Sequence, residues 1–158
     1  MHLTLFSDYA LRVGLYLAAH PDELSSVGRI SRSYGISRNH LAKVVQRLTE
    51  LGVVVSTRGR GGGLRLARSP AEINVGWLVR QTEPHFHLVE CFDPTTNTCP
   101  IAGACGLQGA LARAQQAFLK VLDDYTLGSF AADREELLAI WEAFPGAGGR
   151  SSVTLAGD

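Results

Sequence analysis

From Leu5 to Ala19 the apolar residues Phe6, Tyr9, Ala10, Val13, Tyr16 and Leu17 recur at helical spacing, which predicts a first helix ending at His20-Pro21. Asp8 and Arg12 lie off that stripe. After a linker over 21–24, Ser25 or Ser26 is placed to cap a short second helix running to about Tyr34, where Gly35 breaks it. Ser37 is placed to cap a third helix from Arg38 to Leu51, closed by Gly52. Two short helices joined by a three-residue turn containing glycine form a helix-turn-helix pattern.

On the third helix Leu41, Val44, Val45, Leu48 and Leu51 fall on one stripe, the side expected to be buried. Asn39, Ala42, Lys43, Gln46 and Glu50 then face outward, with Arg38 and Arg47 on the flanks. Amide, small and cationic side chains are the types that read base edges or hold phosphates in a major groove, although an ordinary surface helix carries the same pattern. His40 sits nearer the buried stripe and reads as a packing or boundary residue.

The next elements add weight. Val53 to Thr57 reads as a strand and Leu64 to Ala67 as its partner, with Arg58-Gly59-Arg60-Gly61-Gly62-Gly63 between them. A glycine-rich hairpin straight after the third helix is the wing of a winged helix. Its glycines let backbone amides approach a phosphate chain, and Arg58 and Arg60 bring charge to the tip. The plain alternative is a flexible turn. A nucleotide-binding loop is excluded, because the segment lacks the Lys-Ser/Thr ending and leads into a strand.

Ser69-Pro70 opens an expected fourth helix, about Ala71 to Gln81, with Ile73, Trp77 and Leu78 on its buried side. Residues 84–106 are irregular and carry Cys91, Cys99 and Cys105 among prolines and glycines. A loop of that length needs a function or something to hold it together. From Leu107 to about Tyr125 the apolar positions Leu107, Leu111, Ala114, Phe118, Val121 and Tyr125 advance by alternating steps of four and three. That repeat is the seam of a helix meeting another helix lengthwise. A helix lying on its own domain would show the same stripe, but a small winged helix offers little surface for five turns, so a homodimer is expected. Residues 133–144 read as a last short helix and 145–158, rich in glycine and serine, as a frayed tail. The expected organisation is a DNA-binding unit over 1–82, a cysteine-rich loop over 83–106, a dimerisation and terminal helix unit over 107–144, and the tail.

Composition narrows the class. With 158 residues, 46% hydrophobic and 19% charged, the chain can bury one core but is too short for a multidomain enzyme. No apolar run approaches the ~20 residues of a membrane span, and no basic stretch leads into an apolar one, so the expected location is the cytoplasm. The zero net charge hides two unlike halves. Residues 1–80 carry 11 Lys+Arg against 5 acids, a net +6, and residues 81–158 carry 4 against 10, a net −6. Between Val27 and Arg68 nine basic residues face one acid, Glu50. Such a concentration is a polyanion-binding footprint, or else a solvated basic surface.

Three cysteines, an odd number, point to metal, redox chemistry or inert thiols before a disulfide framework. The spacing Cys91-x7-Cys99-x5-Cys105 lacks the paired knuckles of zinc sites and the close run of ferredoxins. Three thiolates on a glycine-containing loop suit an iron–sulfur cluster, since soft sulfur matches iron, while free thiols remain the plain alternative. A four-iron cluster then lacks one protein ligand, for which His85, His87, Asp93 or a residue of another element or subunit is available. A thiol redox enzyme using Cys91 or Cys105 is poorly supported, because no C-x-x-C pair is present.

The segment Leu3-Thr4-Leu5-Phe6-Ser7-Asp8-Tyr9-Ala10-Leu11-Arg12, Gly35-Ile36-Ser37 entering the third helix, Arg58 to Leu64, and three cysteines before a long helix resemble one family over about Leu3 to Tyr125. It is the winged-helix iron–sulfur regulators that include the NsrR and IscR repressors, and the likeness is greatest to the nitric-oxide-sensing NsrR branch. The resemblance implies a mainly α winged helix-turn-helix with a two-stranded wing, acting as a homodimeric repressor on two-fold operator DNA. It implies a cluster, [4Fe-4S] with [2Fe-2S] left open, held by Cys91, Cys99 and Cys105 and completed by Asp8 of the partner subunit. The expected DNA contacts are Arg38, Asn39, Lys43, Gln46 and Arg47 on the third helix with Arg58 and Arg60 in the wing, and Arg12 is the expected coupling residue. Nitric oxide acting on the cluster would release the operator. The gap between Cys91 and Cys99 is longer than the family leads one to expect. The same fold could instead sense cluster status or oxidants, and the plain role of Asp8 is an ion pair with Arg12 one turn on.

Overall fold

The computed structural model describes residues 2–57, 59, 61–132 and 134–144. Helix α1, Leu5–Ala19, starts where the Thr4 hydroxyl accepts the Ser7 N–H, and it buries Ala10, Val13, Tyr16 and Leu17. Helix α2, Val27–Tyr34, is capped by Ser26, whose hydroxyl accepts the Arg29 N–H at 3.1 Å. It ends at Gly35, whose φ of 66° is the left-handed turn that glycine adopts without strain. Helix α3, Arg38–Glu50, buries Leu41, Val44, Val45 and Leu48 against α1 and α2, while Leu51, expected on the same stripe, is only half-buried just beyond the helix. Ser37 occupies the cap position as expected, but its side chain makes no capping hydrogen bond.

Strands β1, Val54–Thr57, and β2, Gly63–Leu66, pair antiparallel with Val54 opposite Leu66 and Thr57 opposite Gly63. Val53, Val54 and Leu64 turn inward and join the core. Ser25 exchanges two backbone hydrogen bonds with Leu64, at 3.0 and 2.7 Å, so the linker before α2 forms a third edge on the wing. That contact fixes the wing to the linker that leads into α2. Arg58 and Arg60 lie outside the described residues, as do 133 and 145–158.

The fourth helix departs from expectation. Pro70–Glu72 is a single 3₁₀ turn closed by a capping box between Ser69 and Glu72, Ile73 is extended, and the helix proper, α4, is Val75–Thr82. The break has a local cause. The Asn74 side chain accepts the Trp77 N–H at 2.8 Å and caps α4, while its amide donates to the carbonyls of Asp123 and Tyr125. Ile73 and Leu78 are buried as expected, whereas Trp77 is half-buried beneath the Arg68 guanidinium, 5.3 Å from the ring centre.

Helix α5, Gly106–Asp123, contains no fully buried residue. Its C-terminal end is tied to α4, through the backbone of Val75 and Tyr125 and through Arg80, whose Nη2 lies 2.8 Å from Asp123 Oδ2. The apolar seam is only partly covered: Leu107 is 66% and Val121 56% exposed, while Leu111 and Phe118 are half-buried. Helix α6, Arg134–Ala143, returns to α1 and α2, where Trp141 packs against Tyr16, His20 and Tyr34.

Candidate nucleic-acid interface and cysteine cleft

On α3 the outward set is presented as expected. Arg38, Asn39, Lys43 and Gln46 are exposed on one side of the helix, with the Gln46 amide donating to Glu50 at 3.2 Å. Arg38 lies across α2 where residue 28 has no side chain, since a Cβ there would stand 3.3 Å from its guanidinium. Arg47 differs from the others. Its Nη2 donates to the Gln81 carbonyl at 3.3 Å and its Nη1 lies 3.5 Å from Glu50, so this half-buried cation ties α3 to the end of α4. His40 is a boundary residue: exposed, its ring stacks on Tyr9 at 6.4 Å over a small apolar cleft of about 170 Å³ floored by Phe6 and Val44. Between the strands Gly59 and Gly61 have φ of 102° and 80°, a backbone that side chains rarely adopt, while the flanking wing arginines lie outside the described residues.

The cysteine segment is held by its own side chains and by α5. Glu90 accepts both the N–H and the hydroxyl of Thr98, at 2.7 and 2.6 Å. Asp93 does the same for Thr95, and these hydrogen bonds to the ionised form hold its carboxyl down to about 2. Two glutamines of α5 reach back: Gln108 donates to the Cys91 carbonyl at 3.0 Å and Gln115 to the Phe86 carbonyl. The rings of His85 and His87 stack at 4.7 Å. Nothing in the sequence pattern singled out the two glutamines, because a polar residue on a helix flank carries no signal of its partner.

Against α5 the loop encloses an open cleft of about 760 Å³, lined by Cys91, Cys105, Phe86, Phe92, His87 and Gln108 among others. All three cysteines are free and half-buried. The structure therefore brings Cys91 and Cys105 to one cleft, while Cys99 lies outside its lining, its N–H bonded to Asn97. Among the described residues no three His, Cys, Asp or Glu side chains stand close enough to hold one metal ion within this single chain. The two thiols that line the cleft nevertheless fit iron, as soft donors beside a space with room for a cluster. Asp93, one candidate for a fourth donor, is already engaged with Thr95, and His87 stands 3.8 Å from it.

Asp8 lies on α1, apart from the residues lining that cleft. Arg12 grips it with two charge-assisted contacts, Nε to Oδ1 and Nη2 to Oδ2, each 2.9 Å. In one chain the plain ion-pair reading of Asp8 is thus realised.

Comparison with known proteins gives a consistent result. The Rrf2 family, described as an iron-dependent transcriptional regulator, matches residues 3–133. The transcriptional regulator NsrR of Bacillus subtilis is 48% identical over 141 residues, covering 89% of this chain and 97% of that protein. NsrR of Halalkalibacterium halodurans is 47% identical over 146 residues, covering 92% and 100%. Among solved structures, T. potens IscR superposes with a TM-score of 0.69 at 25% identity over 86% of this chain and 90% of that one. The oxidised form of Staphylococcus aureus CymR gives 0.67 at 25% identity, over 84% and 97%.

Proposed function

The chain belongs to the Rrf2 family of iron-dependent transcriptional regulators, and we propose that within it the protein is a homodimeric repressor that senses nitric oxide through an iron–sulfur cluster. The observation that carries this reading is the pair Cys91 and Cys105 lining one cleft against α5, in a chain 48% identical to an NsrR. Cys91, Cys99 and Cys105 hold the cluster, with Asp8 of the partner subunit as the fourth donor. When bound, the cluster supplies iron able to react with a small diatomic molecule. A [4Fe-4S] centre fits three thiolates and one further ligand, and a [2Fe-2S] centre is the other outcome of an iron and sulfide analysis.

Asp8 then has two alternative partners. In its own chain the Arg12 guanidinium holds it by two hydrogen bonds. Across the dimer it would meet iron, for which a carboxylate is a hard and weakly held donor beside three thiolates. The carboxylate contact is therefore the one most easily given up, and its loss returns Asp8 to Arg12. The exposed seam of α5 is the surface along which two copies would pair, since Leu107 and Val121 stand free of their own domain.

Helix α3 is the recognition element, with Asn39, Lys43 and Gln46 directed at the groove and Arg38 at its start, and contacts to the DNA backbone are assigned to Arg58 and Arg60 of the wing segment. Arg47 is a brace that keeps α3 on α4. Two recognition helices serve a two-fold operator only at a separation near one DNA turn, about 34–36 Å, so a small rotation between subunits releases it. Residues 1–82 serve as the reading head, 83–106 as the sensing loop and 107–144 as the pairing and return helices. No described helix is long and apolar enough to cross a membrane.

The test is to purify the protein without oxygen, measure iron, sulfide and zinc, and compare operator binding before and after removal of metal by a chelator. Iron with matching sulfide, and operator binding that falls on removal, support the reading. A colourless zinc protein, or one that turns over a thiol substrate and binds no DNA, overturns it.

A further inference from the structure

Tyr34 is the last residue of α2, immediately before the left-handed Gly35 that makes the turn into the recognition helix. Its ring meets three side chains, two from α1 and one from α6. The Arg12 guanidinium sits over one face, 5.7 Å from the centroid. The Trp141 indole of α6 meets it edge-on at 5.6 Å and 76°, and Tyr16 of α1 at 6.2 Å and 63°. Its hydroxyl donates to the Arg12 carbonyl at 3.2 Å, and burial pushes that hydroxyl well above its usual range, so it stays a donor. The turn beyond it is stiff. The Ser31 hydroxyl donates to the Ile36 carbonyl at 2.6 Å, and the Ile36 N–H donates to the Ser31 carbonyl at 3.1 Å.

Arg12 thus has two neighbours, the Asp8 carboxylate and the Tyr34 ring. While Asp8 holds both Nε and Nη2, the guanidinium is fixed in place. Once Asp8 is drawn to another partner, the guanidinium keeps only the ring, a contact that tightens when its competitor leaves. The ring cannot yield to this alone, because Trp141 and Tyr16 back it. A change at Arg12 is therefore passed to the α2 end and, through a turn locked by Ser31, to Arg38 at the start of α3.

We propose that Tyr34 is a positioning residue that couples the Asp8–Arg12 pair to the helix-turn-helix, with Trp141 of the terminal helix as its backstop. The proposal rests on the reading that Asp8 leaves Arg12 for a cluster in the partner subunit. It adds a role for α6: the helix that follows the pairing helix braces the reading head of its own chain.

The experiment measures operator affinity of the full-length dimer with and without its cluster, and takes the ratio. Tyr34→Leu is expected to reduce that ratio about threefold or more while leaving iron content and absorption unchanged, and Tyr34→Phe, which keeps the ring, is expected to retain most of it. An unchanged ratio in Tyr34→Leu, or equal loss of affinity in both states, overturns the proposal and leaves a merely structural tyrosine. A ratio of one in the unmodified protein overturns the sensing reading itself, and this proposal with it. Should Tyr34→Leu not fold, the Trp77→Phe protein has Trp141 as its sole tryptophan. Its emission maximum should shift when the chelator removes the cluster, and a maximum that stays fixed overturns the proposal.

Discussion

Asp123, at the end of α5, accepts the guanidinium of Arg80 from α4 directly above Gly76, where any Cβ would collide with the carboxylate. This is the point at which the long helix is anchored to the winged-helix core, and glycine is what allows it. Gly76→Ala should displace Asp123 and loosen α5 even though alanine favours helix, lowering the melting temperature and weakening dimers in sedimentation. The pH dependence has a definite sign. Arg80 holds the Asp123 carboxyl below its ordinary value near 3.8. The contact therefore contributes fully above that value, and its contribution is lost as the pH falls through the lower folded-state value. Thermal melts of Asp123→Asn and of the unmodified protein should converge in that acid window and diverge at neutral pH.

The arginines and lysine of α3 should separate into two behaviours. Lys43→Ala is expected to weaken operator binding and to lower the slope of log affinity against log salt by about one per subunit. Arg47→Ala should change that slope little, because its guanidinium is committed to Gln81 and Glu50, and should instead lower stability by about 1 kcal/mol. Salt titrations and denaturant curves on both variants decide the matter.

Asp8→Ala removes an exposed helical ion pair worth only ~0.3 kcal/mol, so the fold should be almost unaffected. The proposed ligand set, which assigns one iron donor to Asp8, nonetheless predicts severalfold faster cluster loss under chelator challenge. A rate equal to that of the unmodified protein would remove Asp8 from the ligand set.

The double variant Gln108→Ala, Gln115→Ala should free the cysteine loop from α5 without disturbing the core, since both side chains bond only loop carbonyls. Hydrogen exchange over 84–106 should rise while exchange in α1 and α3 stays as it was.

Much of this architecture is visible in the chain itself. The stripe Leu41, Val44, Val45, Leu48 and the glycines after it define the recognition helix and wing, because periodicity and turn chemistry are local signals. The true start of α4 is not legible in spacing, because Asn74 competes with the helix for its own backbone, caps the next turn and reaches α5, a long-range contact with no local trace. The Arg47 contact is invisible for the same reason: a wheel places a side chain on a flank but does not reveal the Gln81 carbonyl that it meets. The cysteines stand out by their chemistry, yet spacing alone does not show that Cys91 and Cys105 share a cleft whose lining leaves out Cys99.

In the proposed function, chemistry at the cysteine loop and grip on DNA are one equilibrium. That coupling is tested most directly by titrating the anaerobic, cluster-loaded protein with nitric oxide while recording its absorption and its binding of operator DNA in the same sample. The two signals are expected to change together, over the same few equivalents of nitric oxide per dimer. An absorption change that runs to completion while the operator stays bound would contradict that coupling.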